Sequence, residues 1–219
     1  MVIRAHLLAA LAALAVASPR CAATGETGQR IEERILACSP VAKYADAAVR
    51  RQQHETLNAN VVPLAARKFC THVDVLHSDS IFERYRNEAL ALQAESGKPI
   101  YTTAELYYFL SCKGSMAGWS PLDYAWARPV EDGNGNIHPN TFRMLETAGE
   151  YLALPGRNGM TLLERVESTI ASYREQPNRD RKKVMFEEYR DRLRVILRQV
   201  EQRACHTVDT AKASKPSGG

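Results

Sequence analysis

His72, Asp74, His77 and Asp79 lie close together in the chain. They are the residue types that bind a divalent metal or exchange protons. A metal site on one helix needs ligands three or four positions apart, as in H-E-x-x-H. Here the two histidines are five apart, which separates them by about 140° around a helix. A loop could still gather them. The spacing fits better with a polar helix end beside a Ser78-Asp79 cap, so no metal is expected here.

A second cluster, Asp132-x-Asn134-x-Asn136, opens like a calcium loop. It then departs from that pattern, with Ile137 where a glycine is needed and Arg143 where the bidentate glutamate belongs. A solvated turn between helices is the expectation. The sequence has no G-x-S-x-G nucleophile elbow, phosphate-binding P-loop or dinucleotide fingerprint. Catalytic groups can be scattered in a chain, so a hydrolase or metal-dependent enzyme, with His72, Asp74 and His77 as first suspects, stays open as an alternative. The leading expectation is a protein without catalytic residues or cofactor.

The elements that must position these residues read almost entirely as helix. Apolar residues recur at helical spacing over 29–38, 41–57, from Pro63 through Phe69, and over 81–94, 103–112, 141–147, 162–173 and 180–203. On 81–94 the expected buried face is Ile81, Tyr85, Ala89 and Leu92. On the last helix it is Met185, Tyr189, Leu193, Ile196, Leu197 and Val200. Strand signals are scarce, so the fold class is all-α. The tail 206–219 is rich in Ser, Lys, Pro and Gly and is expected to be disordered.

The N-terminus points to export. Leu7–Val16 is an apolar run of about 10 residues, the length of a signal-peptide core and too short to span a bilayer. Cleavage is expected after Ala17 or Ala23, within a signal of residues 1–23. Cys21 is preceded by Pro19-Arg20, which excludes a lipoprotein signal. Cleavage after Ala23 leaves Cys38, Cys70, Cys112 and Cys205, an even set that suggests two disulfides in an oxidising compartment. Three pairings are open. The formal charge of +4 falls to about +2 without Arg4 and Arg20. Acids and bases are well mixed, so neither a nucleic-acid partner nor a membrane anchor in the mature form is expected. The compartment is periplasmic or extracellular.

Two stretches share a pattern: Gly118-Trp119-Ser120-Pro121-Leu122-Asp123-Tyr124-Ala125 and Gly159-Met160-Thr161-Leu162-Leu163-Glu164-Arg165-Val166. Each resembles the T-P-L-H-x-A opening of an ankyrin repeat, in which a hydroxyl caps a helix and Leu and Ala pack on the neighbouring repeat. Met144 to Gly149 resembles the end of a repeat's second helix, and Arg157-Asn158-Gly159 supplies a turn. The spacing is about 41 residues rather than about 33, with the Asp132–His138 loop as the surplus, and Asp123 and Glu164 stand where the motif has His. The resemblance covers roughly Ala104–Arg203.

This resemblance implies a short helical repeat array over 101–205, preceded by an N-terminal helical region over 24–100. It implies a scaffold that binds another protein, such as a toxin, a hydrolase or an envelope protein, with Trp126, Arg128, Arg157 and Asn158 on the binding face. One concrete form is an immunity or inhibitor protein. A structural envelope factor is the blander alternative.

Overall fold

The computed structural model describes residues 30–113, 118–127, 131–132, 134–156, 158–174 and 180–213. Among them the chain is helical and forms no strand; one isolated antiparallel bridge joins Glu131 to Ile137. No described helix is long and apolar enough to cross a membrane.

Helix α1 (Ile31–Cys38) stops before Pro40, and the Ser39 hydroxyl accepts the Val41 amide at 3.1 Å to start a 3-10 turn over Pro40–Ala45. The sequence predicts one helix over 41–57, but the structure divides it. Asp46 is extended (φ −66°, ψ 127°), and its carboxylate takes the Ala48 and Val49 amides at 2.8 and 2.9 Å. That cap begins α2 (Ala47–Asn60) afresh. Pro63 at the first helical position opens α3 (Pro63–Asp74), and α4 (Asp79–Glu95) folds back along it as a hairpin.

On α4 the buried residues are Phe82, Ala89 and Gln93, so the inward face is turned from the expected Ile81, Tyr85, Ala89 and Leu92. Phe82 fills the space beside His72. Gln93 satisfies its amide internally, accepting from the Val62 amide at 2.9 Å and donating to the Pro99 carbonyl at 2.8 Å. A buried polar side chain with all its bonds made is tolerated where an unpaired one is not.

Helix α5 (Thr103–Phe109) starts with a reciprocal capping box between Thr102 and Glu105. It ends earlier than the predicted Cys112. Asn58 of α2 donates to the Phe109 carbonyl at 2.8 Å and accepts the Ser111 amide at 2.8 Å, which draws the chain out of the helix. Helices α6 (Pro121–Ala127) and α7 (Pro139–Ala148) follow. Gly149, at φ 56°, stops α7 and leads into a 3-10 turn over Gly149–Ala153.

Helix α8 (Leu162–Arg174) packs against α9 (Asp180–Ala213). All six residues of the predicted α9 stripe are buried. The helix runs past Arg203 into the stretch that reads as a disordered tail, because no Pro or Gly interrupts it before Pro216. Residues 214–219 lie outside the described residues.

Disulfides join Cys38 to Cys205 and Cys70 to Cys112, with Cα separations of 4.9 and 5.7 Å, both within the range a disulfide accepts. The first fastens α1 to α9. The second ties α3 to the segment leaving α5. Of the three open pairings, this is the one the packing brings together.

Candidate functional site: a cationic cleft beside two capped loops

Two pieces of chain are built on the same local plan. In the first, the Ser120 hydroxyl accepts the Asp123 amide at 3.0 Å, and the Asp123 carboxylate accepts the hydroxyl proton at 3.0 Å. The loop before it is closed by the Cys112 amide donating to the Trp119 carbonyl at 3.0 Å. In the second, the Thr161 hydroxyl accepts the Glu164 amide at 3.3 Å and Glu164 accepts the Thr161 amide at 2.7 Å. Its loop is closed by Gly156 donating to the Met160 carbonyl at 2.8 Å. Asp123 and Glu164 are thus the acids of two capping boxes. The Thr161 amide, aided by Arg30, holds the Glu164 carboxyl below the usual carboxylate range.

The two units touch. A side-chain carbon on Gly156 would lie 3.2 Å from an Asp123 carboxylate oxygen, so the second loop approaches the first cap as closely as a glycine allows. Tyr108 on α5 donates to the Pro155 carbonyl at 2.7 Å and holds the second loop in place.

Between α2 and this second loop lies a cleft of about 600 Å³, within the usual range for binding pockets. Ala47, Arg50, Arg51 and His54 line one side. Their spacing of three, four and seven places them on one face of α2. Tyr108, Phe109 and Tyr151 supply aromatic surface, and Arg165 and Asp123 stand at one end.

Arg50 donates to the carbonyls of Tyr44 and Ala45 at 2.8 and 3.0 Å, capping the 3-10 turn with a charge. Arg51 is exposed and forms no hydrogen bond or ion pair among the described residues. Burial raises the Tyr108 and Tyr151 phenols, so both stay neutral donors. The Asp123 carboxylate is occupied by its cap. The balance of the lining is positive, and the arrangement suits an anion that carries an apolar body.

A smaller recess continues past Asp123 and Arg165 between the two loops, where it is lined by Trp119 and Asn158. Trp119 is 36% exposed. Asn158 is also exposed, and its side chain accepts the Met160 amide at 3.3 Å. Of the four residues predicted for binding, Asn158 is thus placed at the recess. The Trp126 side chain, Arg128 and Arg157 lie outside the described residues. Sequence reasoning passed over Arg50, Arg51 and His54, although two adjacent arginines and a histidine one turn later on a helix otherwise short of apolar residues is a readable signal.

The suspected metal cluster is not assembled. His72 is fully buried, with one ring nitrogen against the Phe69 carbonyl and the other 3.2 Å from the Tyr107 hydroxyl. Burial pushes its pKa down to about 3. Asp74 and His77 point outward, and Asp79 pairs with Arg143 at 3.4 Å. Among the described residues no group of three or more His, Cys, Asp or Glu side chains could hold a metal. The calcium-like loop spends its acid internally: one Asp132 carboxylate oxygen accepts the Asn134 and Asn136 amides at 2.8 and 2.9 Å, and Gly135 turns at φ 80°.

One contact has the form of a nucleophile and its base: His54 Nε2 lies 2.9 Å from Ser111 Oγ. Among the described residues no carboxylate bonds the other His54 nitrogen. Together with Asn58, one turn further on, the pair fastens α2 to the chain leaving α5. No protein-family model, curated protein or solved structure matches the chain.

Proposed function

We propose that this chain is an exported, disulfide-bonded binding module that recognises another protein through the face formed by its two capped loops. The observation that carries this reading is the exposed Trp119 beside Asn158, in the recess between two loops of the same local construction. Tryptophan is over-represented among the residues that dominate protein interfaces. The repeated sequence of closed loop, hydroxyl cap and helix also supports the ankyrin-like reading, with Asp123 and Glu164 standing in for the motif's histidine. The two disulfides support action in the periplasm or outside the cell. A partner that must be neutralised there, such as a toxin or hydrolase delivered to that compartment, fits a small disulfide-bonded chain.

The test is a pulldown from periplasmic extract and neighbouring-gene products, comparing wild type with a Trp119→Ala, Asn158→Ala double variant. A specific partner that binds wild type and is lost from the folded double variant is the expected result. A partner retained at full strength would remove this face. The His54–Ser111 contact favours a second reading, a hydrolase. Ester turnover that disappears in Ser111→Ala would favour that reading over a binding module.

A further inference from the structure

We infer that the cleft between α2 and the second loop receives an acidic peptide segment of the partner protein, pairing a carboxylate with Arg51 while an adjoining apolar side chain rests on Tyr108 and Tyr151. This rests on the protein-binding reading and names the chemistry of what is bound. Charge complementarity selects the occupant. Arg50, Arg51 and His54 share one helix face, and Arg165 also lines the cleft, within electrostatic reach of Asp123. The lining's acid, Asp123, is held by Ser120. Aspartate and glutamate segments are therefore drawn in, and basic ones are repelled.

Size and surface narrow the choice. A cleft of about 600 Å³ has room for a few side chains rather than a lone anion. Buried Phe109 packs edge-to-face against Tyr108 and Tyr151 from behind, and the centroid separations are 4.8 Å for Tyr108–Phe109 and 5.6 Å for the tilted Tyr108–Tyr151 pair. They form a fixed aromatic wall for an apolar group. Arg51 is the residue best placed to provide the pairing charge, since Arg50 is committed to the 3-10 turn. The cleft is continuous with the Trp119 recess through Asp123 and Arg165, so one partner can reach both.

The probe is a capped, fluorescently labelled heptapeptide with two glutamates flanking a Leu-Phe pair, compared with its glutamine twin and with free glutamate. Binding is read by anisotropy on the full chain. The acidic peptide should bind at least about tenfold more tightly than the glutamine twin, weaken as salt rises, and lose about tenfold or more with Arg51→Glu. Circular dichroism checks that the variant is folded.

Equal binding of the two peptides, no binding at millimolar concentration, or unchanged binding by Arg51→Glu would overturn the proposal. So would free glutamate binding as tightly as the peptide, since a small carboxylate would then be the ligand. If a partner is lost from the Trp119→Ala, Asn158→Ala variant but fully retained by Arg51→Glu, the cleft proposal fails and the binding module stands. Arg51-dependent peptide binding with no partner lost at the loop tips would keep the cleft and remove the loop face.

Discussion

Tyr107 and Tyr108 are neighbours on α5, yet they belong to two regions built from the same residue types for opposite ends. Tyr107 is fully buried in a cage with His72, Phe69 and Phe82, and its hydroxyl meets His72 and Arg86. Tyr108 turns about 100° away to the cleft, where its hydroxyl holds the second loop and Arg50, Arg51 and His54 stand on the facing helix. Each region contains a histidine, a tyrosine and an arginine. In the cage, burial on all sides leaves the histidine neutral and its nitrogens occupied. In the cleft the charges keep one side in water. A histidine beside an arginine and a tyrosine therefore says little about function until its exposure is known.

The two regions are joined by Cys70–Cys112, since Cys70 follows the cage residue Phe69 and Cys112 follows the cleft residue Ser111. Breaking that link has the largest expected effect. Replacing both cysteines with alanine should cost about 4 kcal/mol for a loop of this length. Thermal melting would show it, and a change near zero would mean that packing alone holds the regions together.

Acid distinguishes the cage next. The His72 pKa is about 3 when folded against 6.5 unfolded. Stability from this group is therefore complete above about pH 6.5 and lost as pH falls toward 3, amounting to about 2 kcal/mol by pH 5. Denaturant titrations at pH 7 and pH 5 should show this loss in wild type and its disappearance in His72→Gln. The smallest effect is expected on the cleft side. Asn58→Ala removes the two bonds that end α5 and should cost about 1–2 kcal/mol. If the cleft depends on that clamp, this variant should also weaken acidic-peptide binding.

Much of the helical framework was legible from local signals. Ser120 and Thr161 read as caps and act as caps, Gly149 reads as a stop and is one, and the α9 stripe is buried as its spacing predicts. Other readings moved because a distant group intervened. Helix α5 stops early because Asn58 captures the backbone at Phe109 and Ser111. The inward face of α4 shifts because Phe82 is needed against His72. The cationic face of α2 was passed over because a run of polar residues looks the same whether it faces open water or lines a cleft.

The sequence by itself determined most of the helices, the Ser120 and Thr161 caps and the Gly149 stop, whereas the Ser78 hydroxyl, which reads as a cap, makes no cap bond. Those helices, caps and stop follow from interactions among residues within about four positions of each other, whose energies are set by side-chain type and spacing. Only the tertiary structure decided which cysteines pair, that His72 is sealed among aromatic rings, and that Arg50, Arg51 and His54 face Tyr108 and Tyr151. Those outcomes join residues as far apart as Cys38 and Cys205, separated by 167 positions. Which distant groups meet depends on how whole helix faces pack to bury apolar surface, and no short window of sequence contains that information.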